Sequence, residues 1–391
     1  MIRVAIALES TWLGGVNYYR NLLQAVVALP DRRIEPLLAL GERPADAVLA
    51  DFPPVEIIRT PLLDRKSPRW LGRMAWQRAF ARDPFLERFL QRQRVDVLTH
   101  SGILGQASAI PALCWIPDFQ HRDLPEFFSA PQRWYRDMNL RLQCDHAARI
   151  ILSSDDAHRA LRAFRPAAVQ RARVLRFVAQ PELRCRPTDL ETLKRRYGFD
   201  GDYLHVPNQF WAHKNHGLIL KALALLKAGG RAPMVIATGP TEDYRQPRYF
   251  SQLMDHAREL GVLDSFRVLG VVQREDLVGL MIHAMAIINT SRYEGWSTSV
   301  EEAKSLGKRV VLSDLPVHRE QAPTEALYVD PDDPAELADA IRLVLRTHDP
   351  TADDARMARA RRDLPERVRA FGHRFEEIIL EASSATAACE P

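Results

Sequence analysis

Glu294 and Glu302 stand eight positions apart in the run Glu-Gly-Trp-Ser-Thr-Ser-Val-Glu-Glu-Ala. The apolar run Met285 to Asn289 precedes them, and Thr298 to Leu306 has helical patterning closed by Gly307, so the order is strand, loop, helix and the acids lie around the helix start. A loop at the carboxyl end of a strand is where open α/β sheets bind ligands. The free N–H groups of the following helix favour an anion there. Ionised carboxylates accept hydrogen bonds and donate none, which suits recognition of hydroxyls. A ligand carrying both hydroxyls and phosphate, such as a nucleotide sugar, meets both demands. A solvated loop acid and an ordinary helix-surface acid are the plainer alternative.

A second group lies in Pro207-Asn-Gln-Phe-Trp-Ala-His-Lys-Asn-His216. Lys214, between a strand and a helix, supplies a point charge that can stabilise negative charge growing on a leaving group. Gly14 and Gly15 fall between the first strand and the first helix, where glycine permits close backbone approach to phosphate. The full three-glycine dinucleotide fingerprint is missing. Trp115-Ile-Pro-Asp-Phe-Gln-His121 follows another strand, and Asp118 and His121 are its polar candidates. Together with Ser101 they have the residue types of a hydrolase, but no Gly-x-Ser-x-Gly elbow accompanies them. Asp155-Asp156 and Asp332-Asp333 read as a helix start and a turn, and no metal site is expected.

The elements that must position these residues alternate. Val4 to Leu8 reads as a strand, Glu9 to Gly15 as a loop and Val16 to Leu29 as a helix. Short apolar runs follow at Ile34 to Leu40, Val55 to Ile58, Val95 to Thr99, Ala112 to Ile116, Arg149 to Leu152 and Val174 to Val178. Helix-length stretches separate them, which predicts a doubly wound parallel sheet. After a linker placed near 180 to 200 the rhythm repeats. Strands are expected at Tyr203 to Pro207, Met234 to Thr238, Phe266 to Leu269, Met285 to Asn289, Arg309 to Leu312 and Ala326 to Val329. Helices are expected at Asn215 to Leu226, Val278 to Ala284 and Pro334 to Arg346.

A chain of 391 residues is natural for two such domains. With 46% apolar and 27% charged residues it reads as globular, and a net charge of +4 gives no case for nucleic-acid binding. Cys114, Cys144, Cys185 and Cys389 lack metal or redox spacing. A strand beginning at Ile2 leaves no room for a secretory signal, and no apolar run is long enough to span a bilayer, so a cytoplasmic location is expected. Residues 59 to 94 hold ten Lys or Arg against three acids, interleaved with Trp70, Trp76, Phe80, Phe85 and Phe89. Such a segment suits either peripheral contact with an anionic membrane or packing of its aromatics onto its own domain.

The spacing of Glu294, Glu302 and Ala303 resembles the Glu-x7-Glu signature of retaining nucleotide-sugar glycosyltransferases similar to glycosyltransferase family 4. Gly307-Lys-Arg-Val-Val-Leu-Ser-Asp-Leu-Pro-Val-His-Arg-Glu320 and Ala326 to Pro334 resemble the closing segment of that family, and the Lys214 block resembles its phosphate-binding stretch. The resemblance implies GT-B architecture: two facing Rossmann-like domains with a cleft between them. It places an acceptor-side domain at 1–185, a donor-binding domain at 200–365, a helix at 366–381 returning to the first domain, and a flexible tail at 382–391. Metal-independent transfer from a nucleotide-sugar donor to a glycan or lipid-linked acceptor follows, with GDP-mannose preferred and surface polysaccharide assembly at the cytoplasmic face of the inner membrane as the setting.

The implied roles are specific. Lys214 faces the diphosphate; Glu294, Gly295, Trp296, Ser297 and Thr298 face the donor sugar and diphosphate; Glu302 accepts from the ribose hydroxyls. Gly14 and Gly15 face the ligands from the first domain, and Asp118 and His121 reach the sugar or acceptor. Residues 239–244 and 269–274, with Gly270 among them, border the base. The family commonly has an Arg before the Lys where this chain has Asn208 and Gln209, so Arg274 and Arg292 are candidates for the second phosphate charge. Trp296 and Ser297 replace a more usual aromatic and glycine. A nucleotide-sugar epimerase, a glycan phosphorylase and a non-catalytic nucleotide-sugar binding protein are the other readings.

Overall fold

Parallel strands form where the sequence carries short β-branched and aliphatic runs. A computed structural model describes residues 1–8, 13–42, 49, 51–100, 102–183 and 185–387. The chain divides into unit 1 (Met1–Pro125, Ser129–Val178 and Glu366–Pro391) and unit 2 (Glu126–Phe128 and Ala179–Pro365). Each unit is built on its own parallel sheet.

In unit 1 the elements are β1 (Ile2–Ala7), α1 (Leu13–Val27), β2 (Ile34–Leu40), β3 (Glu56–Arg59), α2 (Pro68–Phe80), α3 (Pro84–Arg92), β4 (Val97–Thr99), β5 (Ala112–Ile116), α4 (Gln120–Asp123), α5 (Ala130–His146), β6 (Arg149–Leu152), α6 (Asp155–Phe164) and β7 (Ala172–Val174). The sheet order is β3-β2-β1-β4-β5-β6-β7, all parallel. The order reverses between β1 and β4, and a crevice outside the strand ends is expected there.

Unit 2 holds α7 (Leu190–Tyr197), β8 (Tyr203–Pro207), α8 (His216–Ala228), β9 (Met234–Thr238), α9 (Tyr249–Glu259), β10 (Phe266–Gly270), α10 (Arg274–His283), β11 (Ile287–Asn289), α11 (Thr298–Leu306), β12 (Val310–Ser313), α12 (Pro316–Gln321), β13 (Leu327–Val329) and α13 (Pro334–Thr347). Its sheet order is β10-β9-β8-β11-β12-β13, with the reversal between β8 and β11. Neighbouring strand residues alternate between two cores. Ile288 and Val311 pack with α8 and α13 residues such as Ile219 and Ile341, whereas Ile287, Val310 and Leu312 pack with Val278, Met281 and Val300. Helices therefore cover both faces, which is why these strands are apolar throughout.

Four expectations need correction. The passage at 180–200 is part of unit 2 and contains α7, capped by Asp189 and closed by left-handed Gly198, with Leu193 buried beneath it. The last strand of unit 1 is Ala172–Val174 and not Val174 to Val178, because its register with β6 ends at Leu152↔Val174. The first helix begins at Leu13, so Gly14 and Gly15 sit in its first turn; the expected loop residues 9–12 lie outside the described residues. The final helix, α14, runs Pro350–Ala387 with Pro365 inside it, and extends into the stretch expected to be a flexible tail.

The boundary between the units falls at that proline. Beyond it, Phe371, Phe375, Ile378, Ile379 and Ala382 are buried in unit 1. Gly372 allows this contact, since a Cβ there would lie 2.8 Å from the Ala25 carbonyl oxygen. Glu376 accepts from the Arg33 backbone at 2.5 Å, and Glu381 pairs with Arg173 at 2.7 Å. The basic segment makes two helices, and its aromatics divide among a core, a cavity wall and the surface. Phe89 packs against the core, whereas Trp76, Phe80 and Phe85 are exposed.

Candidate functional site

The carboxyl ends of β8 and β11 flank the switch point of unit 2, and the residues just beyond them converge. Pro207 ends β8; the chain then turns through Asn208 to a short 3-10 helix, Ala212–Lys214, before α8. Asn215 joins the two with φ +58°. After β11 the loop 290–297 is tied to that turn. The Arg292 N–H donates to the His213 carbonyl at 2.8 Å, and the Thr290 hydroxyl donates to the carbonyls of Lys214 and Asn215 at 3.2 and 3.1 Å.

At the centre, Lys214 Nζ lies 2.7 Å from Glu294 Oε1, with side-chain exposures of 12% and 9%. Ser291 Oγ donates to the same oxygen at 2.7 Å and Asn289 Nδ2 at 3.3 Å. Burial would raise the Glu294 carboxyl, but Lys214, helped by His318 and Ser291, holds it down to about 2. His213, buried beside the lysine, is pushed down to about 3 by burial and then by the Lys214 charge, so it is neutral at pH 7. The result is a largely desolvated lysine–carboxylate pair fixed by two further donors, Ser291 and Asn289.

Asn289 Nδ2 also donates to Ser297 Oγ at 2.9 Å and Ser299 Oγ at 3.3 Å, and Ser299 donates to Asn208 Oδ1 at 3.1 Å. The backbone of Ser297 is clamped by Gln321, which accepts from its N–H at 3.2 Å and donates to its carbonyl at 3.0 Å. Neither α8 nor α11 has a side-chain cap at its N-terminus. The His216 N–H faces the Tyr249 hydroxyl, and the other N–H groups of these first turns favour an anion near the Lys214 charge. Asn208 is 6% exposed, and its buried Nδ2 has no hydrogen-bond partner among the described residues. A buried donor left open is costly unless a ligand or water takes it.

Gly239, at the end of β9, shows why the neighbouring backbone can come so close. Its φ is +139°, and an added Cβ would lie 2.5 Å from the Asn208 carbonyl oxygen. Its N–H donates to the Gly270 carbonyl at 2.8 Å. Both glycines lie in the stretches expected to border the base.

The other expected residues have mixed placements. Glu302 is nearly buried in α11, and its carboxylate faces Arg274 Nη1 at 3.4 Å. Arg274 also donates to the Pro181 carbonyl, and Arg292 pairs with Asp332 at 2.5 Å, so both arginines put forward for a second phosphate charge are engaged by protein groups. Gly295, Trp296 and Gln209 are half-buried in the two loops, while Ser297 is buried and begins α11 with Thr298. In unit 1 Asp118 accepts from the Gln120 N–H at 3.0 Å, and His121 is buried with Nε2 2.9 Å from Asp137. Neither lines the cavity of that unit; His100, Trp115 and Pro117 do. Ser101 lies outside the described residues.

Sequence reasoning missed Asn289, Ser291, Gln321 and His100. For the first two a signal was present: Asn-Thr-Ser breaks an apolar strand at its carboxyl end. Gln321, on α12, carries no comparable local signal. Among the described residues no group of three or more His, Cys, Asp or Glu is placed to hold a metal ion, and no helix is long and apolar enough to cross a membrane.

Residues 193–363, within unit 2, match the family model of Glycosyl transferases group 1. No curated protein matches the chain. Solved structures share its fold over nearly the whole length. Alr3699/HepE from Anabaena, in complex with UDP and glucose, superposes with a TM-score of 0.69 at 19% identity, covering 97% of this chain and 99% of that one. A glycosyltransferase from Rickettsia africae ESF-5 gives 0.67 at 14%, covering 100% and 99%. WaaG, a glycosyltransferase involved in lipopolysaccharide biosynthesis, gives 0.60 at 16%, covering 95% of each. The family match in unit 2 supports an enzymatic, sugar-transferring role, and the solved structures show the shared fold.

Proposed function

We propose that the chain transfers a sugar, with retention of anomeric configuration, from a nucleotide-sugar donor to a hydroxyl of a glycan or lipid-linked acceptor. The observation that carries this reading is the buried Lys214–Glu294 pair at the switch point of unit 2. Lys214 supplies positive charge where a diphosphate leaving group gains negative charge, together with the uncapped N-termini of α8 and α11. Glu294, ionised at neutral pH, accepts from sugar hydroxyls and stabilises positive character at the anomeric carbon. Glu302, held by Arg274, accepts from the ribose hydroxyls.

In this reading the bond from the anomeric carbon to the diphosphate oxygen breaks, and the acceptor oxygen bonds to that carbon on the same face. The departing diphosphate takes the acceptor proton. Proton NMR of the first product tests retention, and an inverted product would defeat it. The preferred donor is GDP-mannose; the UDP and UDP-glucose in complexes of Alr3699/HepE make uridine donors the comparison to run. Calorimetric titration with GDP-, UDP- and dTDP-sugars decides between them.

Lipid-linked acceptors and membrane contact are part of the proposal. Trp76 stands 4.5 Å from Phe80 and 5.7 Å from Phe85, ring to ring, and all three are exposed within the basic segment. Exposed aromatics beside arginines suit an anionic interface. Flotation with anionic liposomes tests it: binding should fall on Trp76→Ser, and absence of flotation by the folded wild type rules the contact out.

A further inference from the structure

Unit 1 contains a cavity of about 630 Å³. Ala7, Gly41, His100 and Trp115, at or just beyond the carboxyl ends of four strands, form its floor, and α2 and α5 supply its walls. It therefore lies over the β1/β4 switch point of this sheet. Three of its lining residues are arginines, Arg65, Arg73 and Arg78, against a single carboxylate, Asp64.

Arg73 is the telling residue. It is only 6% exposed; its Nε faces Asp83 Oδ2 in an ion pair at 3.3 Å, and its buried Nη1 has no hydrogen-bond partner among the described residues. A buried guanidinium with open N–H groups carries a desolvation cost that an anionic oxygen would remove. Arg78, on the same helix, has Nη2 2.7 Å from the Tyr135 hydroxyl, a contact that holds its guanidinium at the cavity wall. Trp115 offers a ring fixed by stacking on Tyr18, 4.1 Å between centroids and 10° from parallel, and by an Nε1–H bond to Ser153. Aromatic faces suit the C–H faces of a sugar ring. His100 is no general base here, since its two ring nitrogens are bound to the Tyr18 and Thr99 hydroxyls, each at 2.9 Å.

We infer that this cavity binds an acceptor whose sugar carries a phosphoryl group, with the phosphoryl oxygens on Arg73 and Arg78 and the ring against Trp115. The inference rests on the glycosyl-transfer reading and specifies its acceptor. The phosphoryl group belongs either to a free sugar phosphate or to a lipid-linked sugar phosphate, and the same arginines serve both.

The test is calorimetric titration of the full chain with hexose 1-phosphate, hexose 6-phosphate, the unphosphorylated hexose, and a hexose linked through phosphate to a short prenyl chain. At least one phosphorylated ligand should bind about tenfold tighter than the unphosphorylated sugar. The ligand that does so identifies the source. Arg78→Gln, at an exposed position that leaves the core intact, should remove most of the difference, as should Arg73→Gln if it folds. Nucleotide affinity, titrated separately with GDP and UDP, should not change in either variant. Equal affinity for phosphorylated and neutral sugars in protein that binds nucleotide overturns the inference while leaving the donor reading in place. A preference for phosphate that survives Arg78→Gln overturns it as well. Loss of nucleotide binding by the wild type would instead strike the donor reading.

Discussion

The two sheets reverse strand order at equivalent places, β1/β4 in unit 1 and β8/β11 in unit 2, yet the residues at the two switch points have little in common. Unit 2 places a lysine–carboxylate pair, serines and two uncapped helix starts there. Unit 1 places Trp115, Tyr18 and a neutral histidine there, with arginines brought in by a neighbouring helix. In the proposed reading the same topology offers one crevice for a diphosphate and a polyol, and another for an aromatic-stacked ring with an anionic substituent. The scaffold decides where a ligand sits, and the side chains at and beyond the strand ends decide which ligand.

The comparison is broken most severely by removing the charge in unit 2. Lys214→Ala leaves the nearly buried Glu294 carboxyl without the charge that holds it ionised, and loss of one partner of a buried pair costs about 3–5 kcal/mol. We expect donor turnover to fall at least about a hundredfold and chemical denaturation to show a less stable protein. Lys214→Met with Glu294→Gln should recover stability without recovering turnover. If the double variant is as unstable as the single one, the pair is not the source of the cost.

Gly239→Ala tests the backbone part of the unit 2 site. Its positive φ and its 2.5 Å approach to the Asn208 carbonyl leave no room for a methyl group. A cost of about 1–3 kcal/mol is expected, read as a lower Tm, with nucleotide affinity weakened because Asn208 must move. An unchanged Tm would mean that the β9 loop relaxes freely.

Trp115→Ala sharpens the contrast from the other side. It removes the stacked ring of unit 1 and should raise the acceptor KM by about tenfold. Nucleotide affinity and acceptor-independent donor hydrolysis should stay as in the wild type. Equal loss of both would show that Trp115 supports the fold more than the acceptor.

The strands were legible because each is a short, uninterrupted apolar run between helical stretches; β2, β5, β6, β8 and β9 coincide with the expected ranges. The helix at Thr298–Leu306 was equally plain, since Gly307 ends it in a left-handed conformation. Residues held by contacts distant in sequence were not legible. Asp189, Asp276 and Tyr197 organise the passage that composition alone marked as a linker. Pro365 is a break signal in sequence, yet α14 continues through it. The two glutamates stood out by spacing, and Lys214 and Arg274 were candidates, but the pairings were not legible: Lys214 is 80 residues from Glu294, and Arg274 is 28 from Glu302. His100 was overlooked in favour of His121 because a histidine's sequence neighbours do not tell which one faces a cavity.

The smallest expected effect is that of pH. Glu294 has its carboxyl depressed to about 2 from an ordinary 4.5, so the stability it contributes is complete above about pH 4.5 and is lost as pH falls toward 2. Burial holds His100, His205, His213 and His216 near 3, below their ordinary value of 6.5. For a histidine depressed in this way, the unfolded chain takes up the proton first, so its penalty on the fold begins as pH falls below about 6.5 and grows toward 3. Above that range all four are neutral in both states. Between pH 6.5 and 8 neither Glu294 in unit 2 nor these four buried histidines change charge, and nucleotide affinity should vary by less than about twofold. Below pH 6.5 stability should decline before affinity does, because these imidazoles remain neutral in the folded protein until the pH approaches 3. Parallel calorimetric and denaturation titrations separate the two curves. A step in nucleotide affinity between pH 6.5 and 8 would show that a group other than these governs the unit 2 site.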